Sequence, residues 1–128
     1  MTLSPALRFI VIGCAAAAVH LAVVRLLVGA QLLVPLAANV VGWLVAFGVS
    51  FAGHYGWTFA QQRAPLRHAL PRFFALSALG FAVNELAYVV ALRFIPWRYD
   101  VLLAGVLVGV AVGTFVLSKL WVFRSRKP

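Results

Sequence analysis

The sequence predicts an all-α integral membrane protein: four transmembrane helices, arranged as two parallel helical-hairpin repeats, with both termini in the cytoplasm. Three observations lead there. Of 128 residues, 65% are hydrophobic and only Glu85 and Asp100 are acidic. At a mean hydropathy of +1.05, that is more apolar surface than a soluble domain of this size can hide. The apolar residues fall into four runs, each close to the ~20 residues that cross a ~30 Å hydrocarbon core. Finally, the second and fourth runs end alike, 64 residues apart: Phe51, Trp57 and Phe59 match Phe115, Trp121 and Phe123. The same offset carries Arg8-Phe9 onto Arg72-Phe73 and Val19 onto Val83 with no gap. A constant register points to internal duplication, although a shared need for interfacial anchors also places Trp and Phe at helix ends. The chain is therefore read as one domain over 1–128, with repeats of about 7–59 and about 71–123 joined by a cytoplasmic loop of about 60–71.

The first span is expected from about Leu7 to Val28. Gly13 and Ala15 to Ala18 give it a small-residue surface for another helix, while His20 lies deep and Arg25 is close enough to the far end to snorkel. Pro35 suits the first turn of the second span, where its missing N–H costs nothing. That span runs to about Tyr55, with Ala38, Gly42, Ala46 and Ser50 stacked at intervals of four and Asn39 near the interface. Prolines and basic residues make Ala60 to Pro71 a surface loop. The third span, Arg72 to about Phe94, carries Asn84 and Glu85 near mid-membrane, with Ser77, Gly80, Asn84 and Tyr88 on one face. Pro96 to Asp100 form a tight turn with Asp100 as N-cap. The fourth span, about Val101 to Leu120, carries Gly105, Gly109 and Gly113, a row read as helix packing within the chain or between protomers.

Charge sets the orientation. With the N-terminus inside, Arg8, Arg63, Arg67, Arg72, Lys119, Arg124, Arg126 and Lys127 face the cytoplasm, and Arg25, Arg93 and Arg98 face out. That bias obeys the positive-inside rule. The net charge of +9 flanks membrane spans, so its partners are lipid headgroups rather than nucleic acid. The N-terminus has the layout of a signal peptide, but its repeat equivalent, 72–92, is a retained span, so cleavage is not expected. The single cysteine, Cys14, permits no internal disulfide, and no metal set, phosphate-cradling glycine loop or nucleophile–base pair is present. No cofactor and no enzymatic activity are expected.

Arg8-Phe9-Ile10-Val11-Ile12-Gly13, the repeated Trp-x-Phe helix end, Arg72-Phe73 after a basic loop, and above all Phe115, Ser118, Lys119, Trp121, Val122, Phe123 and Arg124 resemble the GtrA family over nearly the whole chain. Where the family usually shows Asn followed by basic residues, this chain has His54, Tyr55 and Gly56. The resemblance implies a bacterial inner-membrane protein that moves polyprenyl-phosphate-linked sugars for cell-surface polysaccharide synthesis. Other members are membrane partners or fused membrane domains of polyprenyl-phosphate glycosyltransferases.

Under that reading Arg8, Arg72, Lys119 and Arg124 sit at headgroup depth and can bind a lipid phosphate bidentately; topology alone also requires cations there. Glu85 costs roughly 2.5–3.5 kcal/mol at mid-membrane on insertion scales and needs a partner or water. His20 aligns with Asn84 under the 64-residue offset, which suggests a His20–Asn84–Glu85 cluster. It would serve as a proton-coupling site, as a polar site for sugar hydroxyls, or as a helix-locking hydrogen bond, and Glu85 alternatively snorkels toward Arg93. Trp57 and Trp121 are interface anchors or sugar-stacking platforms. Three functions compete: a polyprenyl-phosphate sugar translocase working as a homo-oligomer through the glycine row, a non-transporting anchor for a glycosyltransferase, and a small multidrug-type proton antiporter. The antiporter fits least, because such proteins carry their acid on the first helix.

Overall fold

A computed structural model describes residues 3–61 and 65–117. They form four helices: α1 (Pro5–Gly29), α2 (Pro35–Gly53), α3 (Leu66–Phe94) and α4 (Tyr99–Leu117), with one π-helical turn, His54–Thr58, continuing α2. Ser4 caps α1, its Oγ accepting from the Leu7 amide at 3.3 Å, and Pro5 occupies the first turn, where a missing N–H leaves nothing unsatisfied. The α1–α2 link turns at Gln31, whose φ of 58° lies in the left-handed region, and α2 opens on Pro35 as expected. Pro5–Gly29, Pro35–Thr58 and Leu66–Phe94 are each long and apolar enough to cross a membrane, and α4 adds a shorter apolar stretch over Tyr99–Gly113.

Two boundaries differ from expectation. Helix α3 starts at Leu66, not Arg72, so the second half of the expected loop is helical. Pro71 lies inside it, in the second turn, and leaves the i−4 carbonyl without its helical hydrogen bond. Asp100 is not an N-cap: α4 begins at Tyr99, and the Asp100 carboxylate accepts from the adjacent Val101 amide at 2.9 Å, inside the first turn.

Each helix packs on two neighbours, α1 on α2 and α4, and α3 on α2 and α4. The core comprises Val24, Ala38, Tyr88, Leu102 and Leu103. Its members fall at matching places in the two halves: Val24 and Tyr88, Ala38 and Leu102, and the buried Asn39 and Leu103 are each 64 residues apart. Leu26, Leu76 and Phe94 are among the many large apolar side chains facing outward, as befits a surface that lipid covers.

The small-residue face of α2 forms the closest helix contact. A Cβ at Gly42 would lie 2.8 Å from the His20 ring and 3.0 Å from the His20 carbonyl, and one at Gly53 would lie 2.5 Å from Ile12. Gly13 and the row Gly105, Gly109 and Gly113 behave otherwise. All four are exposed, and a Cβ there would meet nothing within 4 Å. Among the described residues nothing packs on the row, because α4 turns its valine–leucine side, Leu102 and Leu103, to the core and its glycines away.

Candidate functional site

A polar chain ties three helices together inside the bundle. On α1, His20 Nε2–H donates to Asn39 Oδ1 on α2 at 2.6 Å, and Asn39 Nδ2 donates to Asn84 Oδ1 on α3 at 2.9 Å. All three residues are buried, Asn39 completely. The expected pairing of His20 with Asn84 is therefore indirect, with Asn39 as the central link. Asn39 lies four residues into α2, near its start as expected, and its side chain is turned inward between α1 and α3. Polar groups without water must be satisfied inside the protein, and three amide or imidazole groups from three helices do this for one another.

Glu85, the neighbour of Asn84, is the exception. Both of its carboxylate oxygens are shut off from solvent and meet no donor in good hydrogen-bond geometry; the Asn39 amide is near enough to act on them as a weak donor. No described ion pair joins it to Arg93. The site thus has three helices tied by neutral polar bonds and, beside them, a carboxyl group with most of its acceptor capacity unspent. Below it, Tyr88 donates its hydroxyl to the Tyr99 carbonyl at 3.0 Å and ties α3 to the start of α4.

At one end of the bundle, the π-helical turn buries His54 and Thr58, whose Nδ1 and Oγ1 are 3.1 Å apart. Phe9 stacks on the His54 ring at 4.6 Å and Phe73 meets it edge-on at 5.7 Å. These two repeat-equivalent phenylalanines bring Arg8 and Arg72 to the same end. Arg8 Nη1 donates to the Trp57 carbonyl at 3.1 Å, its guanidinium lies 5.5 Å from the Trp57 ring centroid, and its Nε is buried without a partner. A cavity of about 490 Å³ opens beside it, lined by Arg8, Ser4, Thr58, Phe59 and Gln61 among others. Arg72 does not line it. Lys119, Trp121 and Arg124 lie outside the described residues. Sequence reasoning missed Trp43, whose indole N–H donates to Ser77 Oγ at 2.8 Å and which stacks on Phe81 at 4.6 Å.

At the opposite end, Arg98 holds Asp100 through two bonds, Nε–Oδ1 at 3.2 Å and Nη2–Oδ2 at 3.1 Å, and Arg25 Nε comes within 3.6 Å of Asp100 Oδ2. Partial burial alone would push the Asp100 pKa up. The Val101 amide and the two guanidinium groups outweigh it and hold the carboxyl below its ordinary range.

The family model for the GtrA/DPMS transmembrane domain matches residues 8–123. The chain belongs to that family. The match spans all four helices and takes in Arg8, His20, Asn39, Asn84 and Glu85. No curated protein and no solved structure matches the chain. Membership makes this a membrane protein of lipid-linked sugar pathways. Within the described residues, no group of three His, Cys, Asp or Glu side chains is placed to hold a metal ion.

Proposed function

We propose that this GtrA-family chain helps a polyprenyl-phosphate-linked sugar cross the bacterial inner membrane for cell-surface polysaccharide synthesis, without enzymatic chemistry of its own. The observation that carries the reading is the Glu85 carboxylate, shielded from solvent next to the His20–Asn39–Asn84 chain, with no well-aligned donor and only the Asn39 amide, already given to Asn84, close enough to act on it. A purely structural polar network would satisfy its members; here a strong acceptor remains available to donors such as sugar hydroxyls at the depth where a translocated sugar must lose water. Arg8, Arg72, Lys119 and Arg124 receive the lipid phosphate at the cytoplasmic end, where Arg8 lines a cavity of suitable size. The two hairpins are copies of one parallel repeat with both termini inside; the 64-residue pairing of buried positions supports the repeat, and the cation bias supports the orientation.

Four helices are too few to enclose a sugar, so the working unit is a homo-oligomer meeting along Gly105, Gly109 and Gly113. The same outward row favours a second reading, a non-transporting anchor that docks a glycosyltransferase membrane helix. One experiment separates them. In liposomes loaded with a labelled polyprenyl-phosphate sugar, translocation by the parent chain, and at least about a tenfold loss (~1.4 kcal/mol) in Glu85→Gln, supports transport. Label that never crosses with the parent chain refutes it and leaves the anchor.

A further inference from the structure

The Arg25–Asp100–Arg98 cluster is more than a staple between helices. One carboxylate is shared by two guanidinium groups that come from positions 73 residues apart, so the cluster keeps a net positive charge. Asp100 takes Nε and Nη2 of Arg98 and Nε of Arg25, leaving Arg98 Nη1 and both Nη groups of Arg25 outside that contact. The Asp100 side chain is only 12% exposed and is also fixed by the Val101 amide, whereas those of Arg25 and Arg98 are 62% and 73% exposed. A held carboxylate thus fixes two forks whose outer edges remain open. That pre-orders the side chains and lowers the entropy cost of binding an anion.

The forks border a cavity of about 530 Å³ that Ala22, Leu26, Gly29 and Tyr99 also line. Charged donors with a mainly apolar wall suit an amphiphile, with an anionic head on the guanidinium groups and an alkyl chain along Leu26 into lipid. Arg25 follows Arg8 by 17 residues on the same helix, which places the two arginines about 25 Å apart along its axis, close to the thickness of the hydrocarbon core.

We propose that Arg25 and Arg98, positioned by Asp100, form a phosphate-binding site at the end of the bundle opposite Arg8, taking a phosphate mono- or diester. The site goes beyond the translocation reading and does not depend on it, since an anchor protein would hold a phospholipid there equally well.

The test uses the full chain in dodecyl maltoside micelles, labelled with ¹⁵N-arginine and titrated with dodecyl phosphate and, separately, inorganic phosphate. Dodecyl phosphate should shift the Nε–H signals of Arg25 and Arg98 saturably, and Arg25→Gln or Arg98→Gln should weaken binding about tenfold, the worth of one charge-assisted bond. Arg93→Gln, which removes a charge outside the cavity, should leave it within about twofold. Equal response to inorganic phosphate supports a site for the free ion; response to dodecyl phosphate alone supports a lipid headgroup. If Arg98→Gln fails to fold, the well-exposed Arg25→Gln carries the comparison. No saturable shift with either probe overturns the proposal, as does an equal loss in Arg93→Gln.

Discussion

The two hairpins are both rich in glycine, but only the first puts any of it into a described helix contact. In α1–α2, two glycines let one helix sink onto the other, Gly42 receiving the His20 ring and Gly53 receiving Ile12, while Gly13, Gly29 and Gly48 meet nothing. In α3–α4, Gly80, Gly105, Gly109 and Gly113 face open space, and contact rests on large side chains, Tyr88 against Leu102 and Leu103. A small residue is therefore no sign of a contact by itself. It marks one only where the opposite helix supplies something to fill the gap, and α1 supplies His20.

The strongest way to break this contrast is to add bulk to both hairpins. Gly42→Leu meets the His20 backbone as well as its ring, and should lower stability by about 2 kcal/mol or more; Gly109→Leu should change the stability of the monomer by less than about 0.5 kcal/mol. Thermal unfolding in detergent measures both, and equal losses would erase the distinction. A smaller effect is expected where the first hairpin meets α3. Asn39→Leu strands His20 and Asn84 together and should cost about 1–2 kcal/mol, while a change below about 0.3 kcal/mol would mean that water or lipid already shares those bonds. The smallest effect sharpens the comparison at the opposite end, where Asp100 joins the hairpins through Arg25. Its folded-state pKa lies below the unfolded value, so its contribution is complete above the unfolded value and is lost as pH falls through the folded one. Relative to Asp100→Asn, the native chain should lose melting temperature below about pH 4, and parallel curves down to about pH 2 would show that the pair contributes nothing.

Much of this was legible in the sequence for identifiable reasons. Hydropathy marks a span because length and apolarity are what lipid demands, and Ala38, Gly42 and Ala46 mark a packed face because their spacing is that of a helix. The duplication offset set His20 beside Asn84 in expectation, and the structure joins them through a third residue. The part Asn39 plays between His20 and Asn84 was not legible, because its distance from Pro35 places it along α2 without saying which helices it faces. The outward turn of the α4 glycines was hidden because a periodic row names a face without naming what opposes it. The π-helical turn and the two arginines on Asp100 depend on approaches between distant segments that one-dimensional spacing does not carry.

The seat of His20 against Gly42 has a mechanical corollary. Axial slippage of α1 past α2 by one turn would drive the imidazole onto the methyl of Ala38 or Ala46, and it would sever the bond to Asn39 in the same stroke. The first hairpin must therefore travel as a single stiff lever. Any rocking that exposes Glu85 to one side of the bilayer and then the other has its fulcrum on the seams this hairpin shares with α3 and α4.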